Sequence, residues 1–210
     1  MYIHAMVLTA GLAVALPVAA AAPCKVSVFP EGTQALRYRH TTKSGLGDTM
    51  AELTFRDRKV RGTTVRWTQT FTVEGRPARE SVSEFRCSKE GITPMDEGTK
   101  FTGVQYGNEL APGGGWKWTW AGTGISASYD YRVAGRGKVT VPAGTFDAVR
   151  VNYTAKVMSE TRGELGPIRG TLWIVEGVGL VKQFEDDPGA TSLLPETTTL
   201  ELLEVTASQP

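Results

Sequence analysis

The residues that could carry out catalysis are few. The chain has 2 histidines, and only His40 lies after the apolar N-terminal segment. A Ser-His-Asp or Cys-His arrangement would therefore have one possible base, and a two-histidine metal site would need two chains. His40 shares the apolar face of its strand with Leu36 and Tyr38, which favours a structural histidine over a catalytic one. Because the sequence also lacks zinc, P-loop and calcium-loop motifs, we expect no enzymatic activity, no metal and no cofactor.

The charged residues form acidic and basic clusters. Asp96-Glu97 and Glu185-Asp186-Asp187 lie beside glycine or proline, which predicts solvated loop tips rather than a calcium site or a glycosidase pair. Residues 56–66 contain the basic cluster. We interpret it as solvated charges that protect a strand edge, rather than as a patch that binds an anionic ligand or a lipid headgroup. We therefore expect neither cluster to form a site.

A stripe of aromatic residues is the feature with most functional promise. Trp116, Trp118 and Trp120 alternate along one segment, so they point to one face of a strand. If a sheet closes over them they are core, and if it stays open they line a pocket for a lipid, a hydrophobic peptide or a sugar. The residues predicted to face them across a curved sheet are Tyr129, Tyr131, Phe146, Tyr153 and Trp173.

The elements that position these residues are predicted to be strands throughout. Apolar and polar residues alternate with a period of two, most clearly over 146–158, and glycine- or proline-rich turns separate the runs. We expect strands near 33–42, 49–58, 62–74, 77–88, 100–107, 115–121, 126–134, 136–142, 146–158, 168–175, 179–186 and 197–206, with at most one helical turn at 193–196. The fold class is therefore all-β: a single strongly curved antiparallel sheet, half-barrel or barrel-like, of about twelve strands in meander order.

The N-terminus predicts export. Residues 1–21 combine an apolar stretch, Pro17 and a run of small residues before a cleavage point, which is typical of a signal peptide. The stretch lacks lysine and arginine, so an uncleaved single-helix anchor is the alternative. We divide the rest into an extension at 22–32, one β domain at 33–206 and a tail at 207–210. The predicted location of the protein is the periplasm or the cell surface.

The 2 cysteines are Cys24 and Cys87. In an oxidising compartment the pair predicts one disulfide that pins the extension onto the sheet. Lipidation of Cys24 is the competing hypothesis, although Pro23 immediately before it does not fit a lipobox, and two unpaired thiols are a third option.

Composition excludes other classes of protein. Lys and Arg total 23 against 22 Asp and Glu, a net charge of +1, so bulk charge predicts no nucleic-acid partner. No stretch after the signal is apolar for the length of a bilayer helix. We expect no transmembrane span once the signal is removed.

The C-terminal half resembles a group of exported bacterial proteins of unknown function. The resemblance lies in Lys138–Val151, which contains VPAGTFDA, in Trp173, in the GVGLVK segment at 177–182, and in residues 108–113 before Trp116. Such proteins are similar in architecture to the periplasmic lipoprotein carriers of the LolA and LolB type. The resemblance implies a curved sheet around an apolar cavity, and a ligand such as an acyl chain or another apolar molecule.

Two functions therefore stay open at this stage. One is a binding protein that holds a lipid, an acyl chain or a hydrophobic segment of a partner. The other is a structural or assembly component of the cell envelope that acts through protein contacts at sheet edges. Neither the ligand nor the oligomeric state follows from the sequence.

Overall fold

The structure, a computed structural model, describes residues 34–189 and 194–207. Its strands are β1 (Gln34–Ser44), β2 (Gly47–Arg61), β3 (Thr64–Val73), β4 (Arg79–Cys87), β5 (Gly91–Met95), β6 (Lys100–Gly103), β7 (Tyr106–Gly107), β8 (Gly115–Gly122), β9 (Ile125–Val141), β10 (Gly144–Ser159), β11 (Gly163–Val175), β12 (Gly179–Asp187) and β13 (Glu196–Ala207). The described residues contain no helix. The predicted signal peptide, the extension with Cys24 and residues 208–210 lie outside the described residues.

All thirteen strands belong to one antiparallel sheet. Their order is β6-β8-β9-β10-β11-β12-β13-β1-β2-β3-β4-β5-β7. Two meanders, β1 to β5 and β8 to β13, are joined because the last long strand pairs with the first over Gln34↔Ala207 to Ser44↔Glu196. The predicted all-β fold with a single sheet is confirmed, and its ladder does not close.

The two edges of the sheet come from one short segment, residues 100–107. Its first half, β6, pairs with β8, and its second half, β7, pairs with β5. Gly103, the last residue of β6, adopts φ +78, a conformation that favours glycine. The Gln105 amide donates to the Ile92 carbonyl of β5 at 2.8 Å. The segment therefore crosses from one edge of the sheet to the other, which requires the sheet to be rolled.

Several elements differ from the predictions. The strand predicted at 100–107 is divided into β6 and β7, which pair with different strands. Strand β5 was not predicted, because it is short and contains Pro94. Proline is confined to edge positions in sheets, so it argues against a strand in a sequence. The predicted strands 126–134 and 136–142 are one strand, β9, which passes through Gly135 with a bulge rather than a turn. The single helical turn that the sequence allowed at 193–196 is not formed at Glu196, which begins β13, whereas Leu193 lies outside the described residues.

One apolar core fills the concave side of the sheet. Leu36 on β1 and Ile168 and Ile174 on β11 are each 0% exposed, and Val65 and Leu202 are buried beside them. Full burial of such a side chain contributes about 1.5–3 kcal/mol to folding. Within residues 34–189 and 194–207, no helix has the length and apolar character needed to cross a membrane.

Candidate functional site

The three tryptophans of β8 lie against two tyrosines of β9. Trp116 is the cross-strand partner of Tyr131, and their rings stack with centroids 4.8 Å apart. Trp118 is the partner of Tyr129, with centroids 4.9 Å apart. These rings therefore meet as neighbours on one face of the sheet, rather than from opposite sides of a cavity.

Trp116 also ties this face to the edge segment. Its indole Nε1 donates to the Gln105 carbonyl at 3.2 Å. A Cβ at Gly107 would lie 2.6 Å from the Trp116 ring, so the ring packs directly on the β7 backbone. Strand β7 is consequently fixed against β8 by a side chain, although the two strands share no ladder.

The aromatic cluster extends from β9 to β10. The Tyr131 and Tyr153 rings are 5.2 Å apart, and Tyr153 lies 6.0 Å from Tyr129. Burial is the largest cause that raises the pKa of Tyr131 and of Tyr153, and it raises the pKa of Tyr129 to about 12. These phenols therefore stay neutral hydrogen-bond donors across the physiological pH range.

Two further tyrosines share this property. Burial raises the pKa of Tyr106 to about 12 and also raises the pKa of Tyr38. The Tyr38 hydroxyl donates to the Leu180 carbonyl at 2.7 Å. All five tyrosines that follow the N-terminal segment thus lie in low-dielectric surroundings.

A carboxylate on β12 faces the tyrosines. The Tyr153 hydroxyl donates to Glu185 Oε2 at 2.5 Å, and Gln183 Nε2 donates to the Tyr153 oxygen at 3.3 Å. Burial raises the pKa of Glu185, and the negative charges of Asp187 and Glu196 raise it further, against the opposing effect of the Tyr153 hydroxyl. The negative charge of Glu185 in turn contributes to the raised pKa values of Tyr106, Tyr129, Tyr131 and Tyr153.

The prediction of a solvated acidic tip at 185–187 is therefore wrong for two of its residues. Asp187 is 2% exposed and accepts a hydrogen bond from the Gly189 amide at 2.8 Å. Glu185 is half-buried, and only Asp186 is exposed. Strand β12 continues to Asp187, so side chains that alternate along it must face the interior at 185 and 187. The proline and glycine that follow mark the end of the strand, and they do not indicate where it lies in the sheet.

The remaining two predicted residues lie elsewhere. Phe146 is half-buried near the tip of the β9–β10 hairpin, with its ring beside Gly144. Trp173 lies between Leu172 and Ile174, both buried, so it projects from the opposite, outer face of β11. Its ring has Lys182 Nζ 5.8 Å from its centroid. Neither makes a ring contact with the tryptophans of β8.

His40 is a packed side chain. It is half-buried, and its ring meets Phe71 edge-on with centroids 6.2 Å apart. Burial lowers its pKa, and the charge of Glu196 opposes that shift. Among residues 34–189 and 194–207, no group of three or more His, Cys, Asp and Glu side chains is placed to hold a metal ion.

An opening separates β5 from β6. The turn at 96–99 joins these strands, with Thr99 Oγ1 donating to Asp96 Oδ2 at 3.0 Å. The two strands share no backbone ladder, and Thr93 Oγ1 of β5 donates to the Gly103 carbonyl of β6 at 2.7 Å. Two adjoining cavities of about 590 and 430 Å³ lie between them, and both are lined by Pro94, Met95 and Phe101. The smaller cavity also reaches the inner residues Ser83, Phe85, Gln105, Trp118 and Trp120.

Trp118 is the innermost aromatic residue of this opening. It is 7% exposed and is stacked on Phe101 at 6.2 Å. Its indole Nε1 is buried and has no hydrogen-bond partner among the described residues. A buried donor without a partner costs about 1–3 kcal/mol, so an acceptor that entered the opening would relieve this cost. Sequence reasoning found Trp118 and Trp120 but missed Phe85, Pro94, Met95 and Phe101, since nothing local indicated that β5 and β6 would separate.

Comparison with known proteins relates part of this sheet to a family. Residues 123–188 match the model of the DUF3108-like family. The matched range covers β9 to β12 and includes both 138–151 and 177–182. Curated proteins contain no match to the chain.

Two solved structures are similar to most of the chain. A protein of Bacteroides fragilis, described as exported and as having a YmcC-like fold, is 15% identical and covers 85% of this chain and 98% of its own, with a TM-score of 0.56. A protein of Parabacteroides distasonis, described as a lipoprotein, is 14% identical and covers 87% of this chain and 99% of its own, with a TM-score of 0.55. At these identities the likeness shows the fold, and both descriptions agree with the predicted export. The resemblance to LolA and LolB stays a prediction.

Proposed function

We propose that this protein is an exported, non-enzymatic binding protein that holds an apolar ligand, such as a lipid acyl chain, in the opening between β5 and β6. The observation that carries the proposal is the separation of two consecutive strands. Antiparallel strands joined by a short turn ordinarily pair as a hairpin. Here they pair with other strands instead, and inner aromatic side chains line the space that this leaves.

The size and lining of the opening fit a small amphiphile. Ligand sites typically have volumes of 300–1,000 Å³, and the two cavities here are about 590 and 430 Å³. The smaller cavity is lined largely by apolar and aromatic side chains, whereas the larger one is bordered by charged side chains such as Glu84, Arg86 and Glu97, where a polar headgroup would lie. Phe101, Trp118 and Trp120 supply the apolar wall, and the Trp118 indole supplies one donor. An acyl chain would pack on the rings while an ester or hydroxyl oxygen accepts from the indole.

The open edge of β5 is poorly suited to the alternative, a partner strand that extends the sheet. The carbonyls of Glu90 and Ile92 accept hydrogen bonds from the amides of Asn108 and Gln105, so they point toward the edge of β5 along which β7 lies. By alternation Pro94 directs its backbone nitrogen to the same side, where it offers no N–H. Proline on an edge strand is a common protection against strand addition. A hydrophobic ligand is therefore favoured over an envelope partner that binds at this edge.

A fluorescence titration tests the proposal. The mature protein is titrated with N-phenylnaphthylamine, a neutral lipophilic probe, and the bound probe is then displaced with a long-chain fatty alcohol. We expect saturable binding to wild type and clearly weaker binding to Phe101→Ser, because that ring lines both cavities.

Phe184→Ser is the matched control. Phe184 is 39% exposed and far from the opening in strand order, so its loss should leave probe affinity unchanged. Circular dichroism and thermal melting establish that both variants are folded. The absence of saturable binding to folded wild type, or equal losses in the two variants, would contradict the proposal.

A further inference from the structure

A second pocket lies on the outer face of the sheet, away from the aromatic opening. Cross-strand pairing places Gly135, Arg150, Trp173 and Lys182 in one row across β9 to β12. This row is on the outer face because Val149 and Val151, which flank Arg150, are 2% and 0% exposed. The pocket thus shares no residue with the proposed ligand opening.

Two bulges flank this row. The register between β9 and β10 shifts at Arg150/Val151, which leaves Ala134 as an extra residue. The register between β11 and β12 shifts at Trp173/Ile174, which leaves Val181 as an extra residue. Bulges bend a strand and redirect its side chains, and they recur beside functional sites.

The bulge in β9 creates a small cavity. It has a volume of about 170 Å³ and is lined by residues 134–138, Arg150 and Trp173. Gly135 lies opposite Arg150 and has φ +135, and a Cβ built there meets nothing within 4 Å. The space above the Gly135 backbone is consequently open, with the Trp173 ring as its wall.

The charge around this cavity is positive. Four cationic side chains are near it: Arg136, Lys138 and Arg150, which line it, and Lys182, which packs on Trp173. Lys138 lies 3.9 Å from Asp147, and Lys182 lies 2.9 Å from Glu201. Arg136 and Arg150 form no ion pair with another residue of the described segments. Two guanidinium groups are therefore left uncompensated at one cavity.

We propose that this pocket binds a phosphate group. The guanidinium groups of Arg136 and Arg150 and the ammonium group of Lys138, which line the cavity, can donate to three or more oxygens. This number of donors matches a tetrahedral phosphate better than a carboxylate. The volume of about 170 Å³ admits such a group and excludes a whole lipid. The phosphate comes either from the headgroup of a membrane lipid or from a soluble phosphate, and both present the same chemistry to the pocket.

The experiment follows the Trp173 indole N–H resonance of the mature protein by NMR, assigned with Trp173→Phe. One arm titrates inorganic phosphate, with acetate as the comparison. The other measures co-sedimentation with vesicles of phosphatidylcholine, with and without phosphatidylglycerol. Each arm compares wild type with Arg150→Gln and Arg136→Gln, and with Arg162→Gln as the control. Arg162 lies in the exposed β10–β11 turn, so the control removes the same charge elsewhere.

We expect saturable binding in at least one arm, weakened roughly tenfold by each pocket substitution and unchanged by Arg162→Gln. Binding of phosphate alone identifies a soluble source, and binding of phosphatidylglycerol vesicles identifies a headgroup. Three results would overturn the proposal: no saturable binding in either arm, acetate binding as tight as phosphate, or an equal loss in the Arg162→Gln control. Because no residue of the aromatic opening is changed, these outcomes are independent of whether an apolar ligand binds there.

Discussion

The ring of Tyr153 lies directly over Gly170, its cross-strand partner on β11. A Cβ at Gly170 would lie 2.1 Å from Tyr153 Cζ, closer than any real contact. This close approach lets the phenol cross β11 and reach Glu185 on β12. An aromatic ring that covers a glycine on the neighbouring strand is also a recognised device for stabilising a sheet.

Gly170→Ala should therefore destabilise the protein. The added methyl group displaces the Tyr153 ring, and overpacking of this kind costs about 1–3 kcal/mol. Gly137→Ala is the matched control, because a Cβ at Gly137 meets nothing within 4 Å and alanine should stabilise the strand by roughly 0.5–1 kcal/mol. Urea unfolding followed by tryptophan fluorescence measures both. Equal stabilities of Gly170→Ala and wild type would show that the ring moves aside without cost.

The buried carboxyl of Glu185 predicts a pH-dependent stability. Its folded-state pKa is raised above 4.5, chiefly by burial, so between 4.5 and the folded-state pKa the native state holds more protons than the unfolded state. The free energy of unfolding therefore falls as pH rises through this interval. Glu185→Gln, whose amide oxygen can still accept from Tyr153, should be more stable than wild type at neutral pH.

The stability difference between Glu185→Gln and wild type should disappear below pH 4.5, where the carboxyl is protonated in both states. Urea unfolding at several pH values provides the measurement. Glu176→Gln, in the exposed β11–β12 turn, should show no comparable change. A difference that stays constant at all pH values would indicate a packing effect rather than ionisation.

The tyrosines predict an alkaline transition. The chain contains five tyrosines after residue 21, and burial raises the pKa of each above 10.0, to about 12 for Tyr106 and Tyr129. Because the unfolded chain releases these protons first, stability should fall as pH rises above 10. Phenolate absorbance should appear at a higher pH in native protein than in urea. Superimposable titrations would contradict the buried cluster.

The disulfide predicted between Cys24 and Cys87 is tested by thiol chemistry. Cys87 is 7% exposed at the end of β4, and Cys24 lies outside the described residues. A disulfide closing about 60 residues contributes about 4 kcal/mol in the chain-entropy model, so Cys24→Ala and Cys87→Ala should lose similar stability. Intact-mass measurement of unreduced, denatured protein after thiol labelling should show no label. Two labelled thiols, or an acyl adduct on Cys24, would exclude the pairing.

The sequence by itself determined the all-β fold and most of the strands. The alternation of apolar and polar residues over 146–158 and the turn residues on either side are local signals. They predict that a strand is present and which side chains share each of its faces. They also placed Trp116, Trp118 and Trp120 on one side of β8. Alternation also predicted that Val139 and Val141 lie in a strand. It did not predict that this strand continues through the bulge at Ala134 into the strand before it, so that the two form β9.

Only the tertiary structure decided which of these faces meet. Glu185 and Asp187 are interior because β12 lies between β11 and β13 in the sheet. The residues near the following proline give no local signal of these neighbours. Trp173 became an outer residue because it alternates with Leu172 and Ile174, whose side chains fill the core. Pairing across the sheet depends on contacts between residues far apart in the chain, so the opening beside Phe101 and the cavity above Gly135 exist only once β5, β6 and β9 have taken their partners.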